Sequence, residues 1–244
     1  MFAKKIRVRC ALVASVIGVC LMGSTPAYAV TIWTDWTSAT IGQPPVGSAA
    51  GTVNGVGVTY SGNVISNTVT TGSPNTHWFP ITSFIGGTST ASPSTVGDII
   101  ALNGVNDGIY TITFATPVVN PVMAIWSLGA APGVGPAASF TFIPPATPTF
   151  EAGGLNTEFG GSAISVAGNV ISGQEGNGVV QFTGTFSSLS WTATFENFYG
   201  FTVGVNGPTG PDGGGGGTVP EPTSLVLIGV GFAAFALSRR RKKA

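Results

Sequence analysis

The sequence predicts an all-β chain: one antiparallel β-sandwich of jelly-roll type, flanked by an N-terminal signal helix and a C-terminal transmembrane helix. Three observations carry this expectation. Residues 30–205 contain short runs in which apolar residues alternate with Thr or Ser, the period-two pattern of a strand with one face on a core. Gly and Pro are scattered through the same region too densely for helix interiors, where both are costly. Two apolar stretches, residues 11–22 and 223–238, stand outside this body near either end.

The first 29 residues combine Lys4, Lys5, Arg7 and Arg9 with the apolar stretch 11–22 and end in Ala27-Tyr28-Ala29. Small residues at Ala27 and Ala29 form the small-x-small pattern that signal peptidase cuts, so the exported chain is expected to begin at Val30. A competing reading makes Cys20 the acylated residue of a lipoprotein, although Val19 stands where a small residue is expected. Both cysteines, Cys10 and Cys20, fall inside the removed segment. The exported chain then has no thiol and no disulfide, and its stability rests on packing.

Within the body, strands are expected over residues 57–60, 110–114, 139–143, 179–186, 190–195 and 201–205, each alternating apolar with polar. The unbroken apolar run 122–126 predicts a strand covered on both faces. Gly62-Asn63 and Gly168-Asn169 are expected as tight hairpin turns, because Gly at the first central position suits a type II′ turn. Asn106-Asp107-Gly108 is a third turn candidate. The string GNVIS occurs at residues 62–66 and 168–172, either by chance or by duplication of half a sandwich. Residues 206–218, NGPTGPDGGGGGT, are expected to form a flexible tether spanning about 20 Å.

Charge is laid out unevenly. No Lys or Arg occurs between Arg9 and Arg239, whereas residues 30–218 carry eight acids. A region without cations has nothing with which to neutralise a nucleic-acid backbone or a phosphorylated ligand, so nucleic acid is excluded as a partner. Acidic polysaccharide is repelled as well unless a divalent cation bridges the two.

Signals for chemistry in the body are sparse. His77 is the sole histidine, so no His cluster exists to hold zinc, and no G-x-S-x-G elbow accompanies it. No catalytic residue is assigned and the chain is expected not to be an enzyme. A hydrolase using Glu151 and Glu158, which flank a Gly-rich stretch, is an outlying alternative. No cofactor is expected; calcium is the weaker possibility, with Asp98, Asp107 and Glu151 as its oxygen donors. Carbohydrate binding is the main alternative function, through Trp33, Trp36 and Trp78 as surface rings. In one strand Trp33 and Trp36 point to opposite faces and cannot share one platform. Trp126 and Trp191 are expected in the core.

The tail, residues 219–244, runs from Pro220-Glu221-Pro222 through an uncharged stretch to Arg239, Arg240, Arg241, Lys242 and Lys243. As a helix, residues 223–238 cover about 24 Å, slightly short of a hydrocarbon core of about 30 Å. The basic cluster orients that span with its C-terminus in the cytoplasm. The two prolines keep Glu221 in an extended segment above it.

This order of elements resembles the PEP-CTERM sorting signal of Gram-negative bacteria. The resemblance implies handling by exosortase, a membrane transpeptidase, with Pro220, Glu221 and Pro222 as its recognition element. It also implies an exported protein anchored by its tail before processing, then placed at the cell surface or in the matrix, in company with exopolysaccharide and biofilm machinery. Residues 110–129 and 195–205 likewise resemble segments of β-rich ectodomains bearing such tails. A plain single-span anchor is the competing reading of the tail. Because no basic residue interrupts the body, trypsin should cut the denatured exported chain nowhere between Val30 and Ser238; one internal tryptic peptide in a mass spectrum contradicts this.

Overall fold

A computed structural model of the chain describes residues 30–71, 77–94, 97–104 and 108–207. Fourteen strands and one short 3-10 turn make up the described elements. They are β1 (Thr31–Trp33), β2 (Asp35–Thr40), β3 (Gly42–Val53), β4 (Val56–Val64), β5 (Ile100–Leu102), β6 (Ile109–Val119) and β7 (Val122–Leu128). After these come β8 (Ala138–Phe142), β9 (Pro148–Gly154), β10 (Ser165–Ala167), β11 (Val170–Gly173), β12 (Gly176–Phe182), β13 (Thr185–Ala193) and β14 (Tyr199–Asn206). The 3-10 turn, Ile81–Phe84, lies between β4 and β5. The expected signal helix and transmembrane helix fall outside the described residues.

The strands form two antiparallel sheets. Sheet A has the order β1-β14-β7-β12-β9 with β5 also on β14, and sheet B the order β10-β11-β8-β13-β6-β4-β3-β2. No two neighbours in sheet A are consecutive in the chain. It is therefore assembled from crossovers, whereas sheet B contains the hairpins β2-β3-β4 and β10-β11. Between the sheets lies the main core, with Met123, Ile125, Phe201 and Val203 from sheet A against Tyr60, Ile112, Phe142 and Trp191 from sheet B. Trp191 is its centre, in ring contact with Tyr60, Tyr110, Phe140, Phe142 and Phe201.

Sheet A is covered on its other face too. Val122, Ala124 and Trp126 of β7, Val179 of β12 and Ala152 of β9 form a second core with Trp78, Phe84 and Ile99. Those last three come from the long connection between β4 and β5, which lies over the sheet in place of a third layer. Every residue of β7 is buried, as the apolar run predicts.

The turns correct several expectations. Gly62-Asn63 is no turn: β4 runs through it, and Gly62 pairs with Gly47. The hairpin instead closes at Asn54-Gly55, with φ of 47° and 77°, and the flanking Val53 and Val56 pair. Positive φ at both central residues is what a type I′ turn demands. Gly168-Asn169 does join β10 to β11, with φ of 61° at Gly168. The two GNVIS strings thus adopt different structures. The expected strand 179–186 is two strands, because at Thr183-Gly184 the chain leaves sheet A for sheet B; there Gly184 N–H donates to Asn120 Oδ1 at 2.8 Å. Of the turn at Asn106-Asp107-Gly108, residues 106 and 107 lie outside the described residues.

Gly55 has open space where a Cβ would stand, so Gly55→Ala costs backbone strain alone, about 1 kcal/mol. Gly51 of β3 faces the Asp35 carbonyl oxygen so closely that a Cβ must push β2 away. Gly51→Ala should cost about 3 kcal/mol, and urea denaturation of both variants distinguishes turn strain from strand displacement.

Candidate functional site

The described residues converge on chemistry at the far end of β7. Gly176 pairs with Leu128 and Gly178 with Ile125, so Trp126 and Ser127 together oppose the single residue Asn177. This is a β-bulge, and Ser127 at φ 60° is its strained residue. The extra residue shifts the alternation: Trp126 faces the second core while Leu128 faces the main one. The bulge leaves the Ser127 N–H without a ladder partner, and Asn177 Oδ1 accepts it at 2.9 Å.

Around the bulge a polar network ties floor to rim. Ser127 Oγ donates to Glu175 Oε2 and accepts from Asn156 Nδ2 at 3.0 Å. Asn156 Oδ1 in turn accepts the N–H groups of Glu158 and Phe159 at 3.0 and 3.1 Å. One buried asparagine thereby holds the turn that presents both residues at the surface. His77 lies over the Trp126 ring with centroids 4.2 Å apart, and its Nδ1 stands 3.4 Å from Glu158 Oε2. Phe198 and Phe159 also contact Trp126, at 4.9 and 5.7 Å between centroids. The result is an aromatic floor with a rim of Glu158 and Phe159.

The residues singled out from sequence are distributed otherwise. Trp36 and Trp78 are both 0% exposed, which corrects the expectation of surface rings. Trp36 enters the main core and donates from Nε1 to Thr202 Oγ1 of β14 at 3.1 Å, tying the two sheets together. Trp78 fills the second core against Phe84, edge to face. Trp33 is half-buried against that second core and donates to the Ala91 carbonyl at 2.9 Å. Trp33 and Trp36 belong to different strands and pack on opposite sides of sheet A.

The acids also separate. Asp98 accepts the Trp36 N–H at 2.8 Å. Glu151 is the extra residue of a bulge in β9 and accepts the Thr88 N–H at 2.6 Å. Glu158 engages His77, so Glu151 and Glu158 serve different partners. No group of three or more His, Cys, Asp or Glu placed to hold a metal ion occurs among the described residues. Asp107, Ala27, Ala29, Cys20, Pro220, Glu221 and Pro222 lie outside them. No helix among the described residues is long and apolar enough to cross a membrane.

Ser127, Asn156, Glu175 and Asn177 were not singled out from sequence. They come from three separate segments, and the only local hint is the end of the apolar run at Ser127.

Comparison with protein families matches the PEP-CTERM protein-sorting motif to residues 218–242. The chain carries an exosortase-substrate sorting domain. The PEP-CTERM signal implies a secreted protein, exported with a membrane-anchored C-terminal sorting signal and processed by exosortase. No curated protein and no solved structure matches the chain.

Electrostatically, the body of the chain is one-sided. Burial pushes the carboxyl groups of Glu175 and Glu196 up from the ordinary range, and Asp98 up to about 6. Neighbouring carboxylates add to each shift: Glu158 for Glu175, Glu175 for Glu196, and Asp35 for Asp98. Since the folded Asp98 holds its proton more tightly than the unfolded chain, its contribution to stability is fully present below about pH 4. It is lost as pH rises through about 6. Asp98→Asn keeps the acceptor for Trp36 N–H, and Asn tolerates the φ of 70° found there. At pH 7.5 this variant should be more stable by on the order of 1 kcal/mol, a figure reduced for the partial exposure of the group. Thermal melts from pH 8 to pH 5 should show the wild type gaining stability on acidification and the variant gaining less.

Proposed function

We propose that the body is a non-catalytic β-sandwich displayed on the cell surface or in the extracellular matrix, where it associates with exopolysaccharide. The observation that carries this reading is the sorting motif at residues 218–242, placed after a Gly-rich stretch that separates it from the sandwich. In this reading Pro220, Glu221 and Pro222 form the element read by exosortase, and the apolar stretch holds the substrate in the membrane until it is processed. Signal peptidase acts earlier, after Ala29. The body's electrostatics narrow the associated polymer. Seven acids without a Lys or Arg favour a neutral or amine-bearing polysaccharide, or an acidic one bridged by calcium.

A carbohydrate-binding module is the second reading. The burial of Trp36 and Trp78 removes the platform first considered, so this reading moves to the aromatic floor at Trp126. Co-sedimentation of the full chain with exopolysaccharide from its own host, with and without calcium, tests the association. Retention of the chain in the polymer pellet is the expected result. Equal solubility with and without polymer, under both conditions, overturns the association while leaving export and sorting untouched.

A further inference from the structure

The strongest unexplained feature of the body is the arrangement around Trp126. His77 sits with its imidazole against the Trp126 ring, at 4.2 Å between centroids, and with Nδ1 3.4 Å from the Glu158 carboxylate. Phe198 meets both rings edge on, at 4.9 Å from Trp126 and 5.9 Å from His77. An aromatic face and a carboxylate are the two components that hold an organic cation: the ring quadrupole attracts the charge at the face and the carboxylate neutralises it. The slot is thus filled by the one histidine of the body.

Two buried polar atoms beside the slot have no hydrogen-bond partner: Trp126 Nε1, on a residue 0% exposed, and Glu196 Oε2, on a residue 8% exposed. Glu196 lies two residues from Phe198, whose N–H its other oxygen accepts at 3.2 Å. Buried polar atoms are nearly always paired, and a donor and an acceptor left over beside one aromatic slot point to a polar guest. Glu175 adds negative charge from the floor without a Lys or Arg to offset it. Approach is from the rim, where Glu158 and Phe159 are exposed.

We propose that this slot binds an organic ammonium group, which displaces His77 from the face of Trp126 and pairs with Glu158. Under the reading that the body meets exopolysaccharide, on which this choice of ligand rests, the group is the protonated amine of an amino sugar. The bulge at Ser127 then has a purpose beyond packing, since Ser127 anchors, through Asn156, the turn bearing Glu158.

The test is isothermal titration of the full chain, purified in detergent, with a glucosamine trimer, its N-acetylated counterpart and choline. The free-amine trimer should bind and the acetylated one should not. His77→Ala removes the resident occupant and should bind the amine about ten-fold more tightly, while Glu158→Gln should bind about five-fold more weakly. His77→Gln, which also vacates the slot, replaces His77→Ala if that variant does not melt cooperatively. Binding of choline without binding of the trimer upholds the ammonium slot and assigns its ligand a source other than an amino sugar. Equal binding of amine and acetylated trimers overturns the proposal, as does no binding by wild type and both His77 variants, or indifference to Glu158→Gln. Polymer co-sedimentation that persists in Glu158→Gln leaves the exopolysaccharide reading standing and removes only the slot.

Discussion

Complete burial of β7 is the constraint from which the architecture follows. A strand with apolar side chains on both faces must be covered on both, and an antiparallel sandwich supplies only one cover. Sheet B provides it with Met123 and Ile125 facing the Trp191 cluster. The second cover is the connection between β4 and β5, whose Trp78, Phe84 and Ile99 close over Val122, Ala124 and Trp126. Full burial of a large apolar side chain contributes roughly 1.5–3 kcal/mol, so the tryptophans and phenylalanines of these two cores explain how a body without disulfides holds together.

The bulge at Ser127 ends this pattern and begins another. Left-handed backbone at a serine is unfavourable, and it persists because Asn177, Asn156 and Glu175 all bond to that one residue. The same bonds place polar atoms beside an aromatic floor at the edge of the second core. Packing and site are therefore not separate features: the residue that terminates the buried strand is the one around which the polar network is built.

Lack of any Lys or Arg in the body sets the sign of its electrostatics. Carboxyl groups that enter a low-dielectric environment usually find a Lys or Arg; here they find backbone N–H groups and one histidine, and their proton affinities rise. Raised carboxyl proton affinities of this kind favour the folded body in mild acid. The body also contains no Lys or Arg at which a trypsin-like protease cuts.

Local patterns were legible in the sequence wherever one short stretch carries the whole signal. The sorting tail is contiguous, so Pro220-Glu221-Pro222 with its apolar run and basic cluster identified it without a structure. The same holds for the all-β class and for the doubly covered strand at residues 122–126. Asn54-Gly55 is an equally legible hairpin signal, and at Gly62-Asn63 strand pairing with Gly47 outweighs the turn preference of the dipeptide. What a side chain faces is another matter, because alternation says that two faces differ and not which sheet, or which of two cores, receives each. Trp36 and Trp78 stand among polar neighbours yet are fully buried, since their partners, Thr202 and Phe84, come from other segments or from a turn that folds back. The sequence by itself determined that this chain carries a sorting signal, because that motif is one contiguous stretch. Only the tertiary structure decided which side chains meet in the slot, because His77, Trp126, Glu158 and Phe198 come from one strand and three loops that are distant in the chain.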